Sequence, residues 1–172
     1  QIGKSTLFEG HLSLTGDGRI MYYRWEYIDR NFGDAQGLWT VNPDGTQHLA
    51  YYGNNTWSPG GVIDGRAIPG TQKAVCIFTS CHDRPWGALV ILDRRKGVDG
   101  KEPVMRMWPS NAIELMENKK RKKNGYGYDN FKAYTPKYED PWPLSEPFST
   151  RSSGKYFLCS RQMRAYTKTS KK

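Results

Sequence analysis

The chain has 172 residues, enough for one ordinary domain and short of two, with 37% hydrophobic and 13% aromatic residues. That aromatic content excludes a disordered tail, and a mean hydropathy of −0.79 excludes a membrane protein built on apolar helices. The net charge is +9, but it is concentrated in the run Lys119-Lys120-Arg121-Lys122-Lys123 and in Arg161, Arg164, Lys168, Lys171 and Lys172; without these, 16 basic residues face 17 acidic ones. A neutral body with a basic loop and a basic tail is not the continuous stripe that phosphate tracking needs, so nucleic acid is not the expected partner. No run approaches the roughly 20 apolar residues that cross a bilayer. The opening Gln1-Ile2-Gly3-Lys4 is neither an initiator Met nor a signal peptide, and reads as a processed or excised piece.

Along the chain, short aromatic and β-branched runs alternate with Gly, Pro, Asp and Asn clusters, the pattern of an antiparallel all-β protein. A short strand at 10–14 leads into the turn Gly16-Asp17-Gly18 and a strand at 19–27. Strands at 37–41 and 48–52 follow, joined by Asn42-Pro43-Asp44-Gly45, where Asp44 and Gly45 both tolerate positive φ. The order then recurs: a short strand at 64–68, the turn Pro69-Gly70, and strands at 73–79, 87–92 and 104–108, with a tight turn at 94–97. Segment 109–139 breaks the pattern. It reads as a short helix over 111–118 with Ser110 as its N-cap, then the basic run, together an insertion projecting from one rim. A short strand at 141–145 and a strand at 155–160 open a third unit.

Four antiparallel strands per unit are the blade of a β-propeller. The expected architecture is therefore two to three blades of an incomplete ring: 10–57, 62–108, the insertion 109–139, and the start of a further blade over 140–172. A propeller needs at least about four blades to close, so the remainder comes from the same propeller or from another chain.

Three cysteines, Cys76, Cys81 and Cys159, allow at most one disulfide. Cys76 and Cys159 lie inside apolar strand-like runs and read as small buried hydrophobes.

The run from Gly18 to Asp29 (Gly-Arg-Ile-Met-Tyr-Tyr-Arg-Trp-Glu-Tyr-Ile-Asp) and the run from Leu38 to Thr46 resemble the middle domain of hydrazine synthase alpha-subunit-like proteins. Tyr52-Gly53-Asn54, Arg66-Ala67-Ile68-Pro69-Gly70, Asp140-Pro141-Trp142-Pro143-Leu144-Ser145-Glu146 and Tyr156-Phe157-Leu158 extend the match over most of the chain outside the basic insertion. The turn-plus-strand units are also similar to TolB-type propeller repeats. The resemblance implies a β-propeller in a longer exported protein, periplasmic or extracellular and possibly associated with the outer membrane. It also implies c-type haem and radical nitrogen chemistry in the hydrazine synthases proper, while many bacterial relatives share the propeller without an assigned activity. Covalent haem attachment uses Cys-x-x-Cys-His. Here Cys76 and Cys81-His82 are separated by four residues, so no cofactor is expected in this chain and a non-haem relative is the expected kind.

Candidate binding residues fall at strand ends and in loops. Arg24 and Glu26 share a strand face and Asp29 lies just beyond; His82 and Asp83 hold the equivalent place in the second unit, and with Arg66 they are expected to face a common mouth. His82 is a weak candidate metal ligand, whereas His11 and His48 read as surface or packing residues. Trp57 and Trp86, read as loop residues, offer faces for a sugar ring, while Trp39 is expected in the core. No Ser-His-Asp order, nucleophile elbow or P-loop is found, and catalytic residues stay unassigned. Two functions follow: a module binding a polar small molecule, glycan or partner, or an enzyme of an extracytoplasmic pathway. The enzyme is then a redox protein using haem held elsewhere, or a glycan-active hydrolase or lyase.

Overall fold

A computed structural model describes residues 2–3, 7–26, 36–56, 58–116, 127–133, 136–144 and 157–163, with the backbone alone at 83, 84, 133 and 157–163. The alternating runs form ten antiparallel strands among the described residues. The first four are β1 (Phe8–Leu14), β2 (Ile20–Trp25), β3 (Gln36–Val41) and β4 (Leu49–Tyr52), which make a four-stranded sheet in chain order. Then come β5 (Gly61–Ala67), β6 (Lys73–Ser80), β7 (Asp83–Asp93) and β8 (Val104–Trp108), again paired in chain order. The hairpin of β9 (Lys137–Pro143) and β10 (Phe157–Met163) joins this second sheet where Tyr138 pairs with Gly87 of β7. The protein is all-β, as the composition of its runs indicates.

The turn chemistry explains most connections. Gly18, Gly45 and Gly70 take φ of 81°, 82° and 73°, a region in which a Cβ is strained. Asp44 does not share the positive φ expected of it; its carboxylate instead accepts from the Thr46 amide at 2.9 Å and hydroxyl at 2.7 Å, tying the hairpin locally.

The two units share a bulge. In β1, Gly10 pairs with Tyr23 and Ser13 with Met21, so His11 and Leu12 stand opposite Tyr22 alone. In β5, Ile63 pairs with Ile77 and Arg66 with Val75, so Asp64 and Gly65 stand opposite Cys76 alone. The first bulged residue is left-handed in both, with φ of 53° at His11 and 52° at Asp64, and Asp140, fourth in β9 as those are fourth in their strands, has φ 47°.

The core lies around β6, whose residues 74–80 are all buried. Ala74, Cys76 and Phe78 on one face pack with Met21, Leu38 and Tyr52 of the first sheet, and Val75 and Ile77 on the other with Tyr23, Ile63 and Leu89. Cys76 is thus the buried small hydrophobe expected of it, and it and Cys81 are free thiols. The side chain of Cys159 lies outside the described residues.

The described parts of segment 109–139 pack against the sheet instead of projecting as expected, while the basic run 119–123 lies outside the described residues. The packed parts are 3-10 helices, Ser110–Met116 and Gly127–Ala133, lying on β8 and β6. Ala112, Leu115, Met116 and Phe131 are buried in the core, with Phe131 edge-on to Phe78 at 5.9 Å. Ser110 is the first residue of its helix rather than a cap. The apolar spacing that marks these side chains was obscured by the charged run between them. β9 begins at Lys137, inside the span assigned to the insertion.

Gly87 marks the closest approach of β7 to β6: a Cβ there would meet the Phe78 carbonyl oxygen and lie 3.0 Å from Thr79 Cα, whereas one at Gly16 meets nothing within 4 Å. Because backbone obstructs position 87, Gly87→Ala is expected to destabilise the fold by about 2 kcal/mol or more, and Gly16→Ala by less than about 0.5 kcal/mol, measured by urea denaturation.

Candidate functional site

At the end of β2 the antiparallel register places Glu9 opposite Arg24 and Tyr22 opposite Trp39, so these four side chains share the face of the first sheet turned away from the second. Arg24 is ion-paired with Glu26, lies 3.8 Å from Glu9, and stacks its guanidinium over the Trp39 ring at 4.9 Å. Trp39 is therefore a platform for a cation on the outer face and not the inward core residue expected. Arg24 Nε is buried without a partner.

His48, read from sequence as a surface or packing residue, belongs to this cluster. Its Nδ1 lies 2.7 Å from the Tyr22 hydroxyl and 3.5 Å from Arg24 Nη1. The guanidinium can only donate and the hydroxyl can supply a second donor, an arrangement that suits the tautomer in which Nδ1 accepts and Nε2 carries the proton. That Nε2 is buried and has no partner among the described residues. His48, Tyr22 and Glu9 line a cavity of about 210 Å³ walled by Leu12, Ile20 and Val41. Burial raises the Tyr22 hydroxyl above its usual pKa, against the opposing pull of Arg24.

The remaining predicted residues have other partners. Arg66 stacks over Trp142 at 4.6 Å, with its Nε buried and unpartnered. His82, 61% exposed, sits in the β6–β7 turn; its Nδ1 is 2.9 Å from Asp129 Oδ2, and its amide donates to Oδ1 at 3.1 Å. Asp83 opens β7, and only its backbone is described. Trp86 is on strand β7 and not in a loop, its carbonyl accepting from the Thr79 hydroxyl at 2.8 Å. Asp29 and Trp57 lie outside the described residues. Of the residues expected around one mouth, the structure joins Arg24 to Glu26 and gives Arg66 and His82 separate partners.

A second cluster was missed because it forms between units. His11 Nδ1 lies 2.5 Å from Asp64 Oδ1, joining the two bulges, and the Ser13 hydroxyl donates to the Gly65 carbonyl at 2.6 Å. Asp64 is 6% exposed and its Oδ2 has no partner. The signal available in the sequence was positional: His11 and Asp64 occupy the same place in the first strand of their units.

The residues do not fit the covalent haem that the family resemblance raises. Cys76 is fully buried in the core strand, where burial pushes its thiol well above the usual pKa. The one histidine beside Cys81 is engaged by Asp129. Among the described residues, no group of three or more His, Cys, Asp or Glu side chains is placed to hold a metal ion. Comparison with protein-family models, curated proteins and solved structures finds no match to this chain.

Asp129 provides a direct check on the His82 contact. Burial pushes its carboxyl up, but the bonds from His82 and from Lys132 at 3.2 Å prevail and hold it below the usual carboxylate pKa. A depressed pKa stabilises the fold above the unfolded value, and that contribution is lost as pH falls through the folded one. In His82→Ala the Asp129 pKa is expected to rise toward its ordinary value, read by carboxyl carbon NMR titration, with the acid-unfolding midpoint moving to higher pH.

Proposed function

We propose that the chain is a ligand- or partner-binding β-propeller segment, two blades and the start of a third, of an exported protein akin to the hydrazine synthase alpha subunit. The observation that carries this reading is recurrence. Both units are four-stranded meanders, their first strands carry the same bulge, and β5 contacts both β1 and β9, as first strands gathered near a common axis do. Blades bury their faces against neighbours. Leu12 and Leu14, 69% and 74% exposed at the β1–β2 turn end of the first sheet, are where a further blade, from the same propeller or another chain, would pack, while Arg24 and Glu26 lie at the opposite end of β2. A periplasmic or extracellular setting, possibly at the outer membrane, is part of the proposal through the family resemblance.

In this reading the Arg24–Glu26 cluster receives a polar small molecule or glycan. Arg24 Nε is an unused donor, and Trp39 offers an aromatic platform beside it. The purified chain is to be tested on a glycan array and against a panel of polar metabolites. Glu26→Gln is expected to weaken a detected ligand about tenfold while shifting Tm by no more than about 4 °C. A large loss of stability with unchanged binding, or no binding at all, would overturn the assignment.

A second reading, an enzyme of an extracytoplasmic pathway, draws on His48, whose ring is oriented by Tyr22 and whose Nε2 is unsatisfied in a cavity shared with Glu9. Turnover of a glycan that His48→Gln abolishes would replace the binding reading with this one. A Soret band that appears only when the chain is purified together with a partner would replace it with the redox form.

A further inference from the structure

On the opposite side of the first sheet, a larger cavity of about 540 Å³ opens where the turns of the two sheets meet. Its lining combines Arg19, just before β2, and Thr40 of β3 with Lys73 of β6 and Arg94, just after β7. This juxtaposition follows from the way the sheets pack: β5 lies against β1, β2 and β3, which brings the β5–β6 turn and the residues after β7 next to the β1–β2 turn.

The charges facing this space do not balance. Arg95 also lines it, but its guanidinium is taken by Asp93, at 2.9 Å from Nε and 2.6 Å from Nη2. Asp17 is the lining carboxylate, and it accepts a bond from the Thr15 hydroxyl. Against it stand Arg19, Arg94 and Lys73, the last of which also faces the Asp93 carboxylate from the paired position on β6. Arg94 lies over the Tyr51 ring at 5.7 Å and has no ion pair among the described residues. Arg19 spends both terminal nitrogens on Gln47, Nη1 to the side-chain oxygen at 3.2 Å and Nη2 to the carbonyl at 2.7 Å, which fixes the plane of its guanidinium.

Two of the lining residues each hold an unsatisfied polar atom. Arg19 Nε is buried without a partner, and so is the hydroxyl of Thr40, a residue only 2% exposed. A buried donor left unmade carries its desolvation penalty, so an oxygen-bearing ligand that reaches both removes that penalty as it binds. Acceptor atoms with negative charge are what a fixed N–H, a hydroxyl and two further cations select.

We propose that this cleft binds a small organic anion, with a carboxylate or phosphoryl group seated on Arg19 Nε and the Thr40 hydroxyl and its charge met by Lys73 and Arg94. The site is complete within the two sheets and does not depend on a closed propeller, on the Arg24–Glu26 cluster or on any catalytic role.

The test is isothermal titration of the chain with inorganic phosphate and, separately, with citrate, at ionic strength held constant with chloride. At least one anion is expected to bind saturably at a single site, phosphate alone marking a phosphoryl ligand and citrate alone a carboxylate. Arg94→Gln, at the partly exposed rim, and Thr40→Val, close to isosteric, are each expected to weaken binding about tenfold, with circular dichroism showing the fold retained. Should Thr40→Val fail to fold, Lys73→Gln takes its place beside Arg94→Gln. Heats no larger than those of the chloride control, or binding that Arg94→Gln and Lys73→Gln both leave intact, would overturn the proposal.

Discussion

The fold depends on β5 lying across the inner face of the first sheet, and that approach requires a position without a side chain. At Gly65 a Cβ would fall 3.0 Å from Met21 Sδ and closer still to the methyl groups of Leu38. Both neighbours are buried, so neither can withdraw without opening the core. The bulge that places Gly65 there also rotates Asp64 toward His11, and the Ser13 hydroxyl closes the seam from the other strand. One irregularity therefore does two jobs. It lets the strands approach, and it provides the polar bonds that join the units where apolar packing alone would leave their relative position loosely specified.

That seam divides the molecule into sides with different chemistry. The inner face of the first sheet is spent on packing at Met21, Tyr23 and Leu38. Its outer face retains Glu9, Tyr22, Arg24, Trp39 and His48, which satisfy one another only in part. Where the inner face runs out toward the turns, charge returns as Arg19 and Arg94. Alternation along a strand is enough to generate this division, because successive residues of β2 serve the core and the outer surface in turn.

Much of the strand layout was legible beforehand. The runs 37–41, 73–79 and 104–108 closely match β3, β6 and β8, because aromatic and β-branched residues bounded by Gly, Asp and Pro leave few other conformations open. Cys76 was readable for the same reason. The bulges were not: whether two residues face one is a property of the partner strand, and nothing local to His11 or Asp64 announces it. His48 was missed because its significance comes from Tyr22 on a different strand, and Trp39 was misplaced because an aromatic residue in a strand reads as core until a cation is known to cover it. The 3-10 segments carrying Leu115 and Phe131 were hidden by the charged run in the chain between them, although their apolar residues pack as firmly as those of the sheets.

The burial of β6 from both sides makes Cys76 a reporter. Its sulfur is reached by no solvent in the folded state, and burial disfavours the reactive thiolate as well. An alkylating reagent can modify it only after the sheets part, so its labelling rate times the opening of the whole core, whereas Cys81, at the end of the strand, registers smaller local excursions. Two natural thiols, five residues apart, thus grade the cooperativity of this protein without any introduced probe.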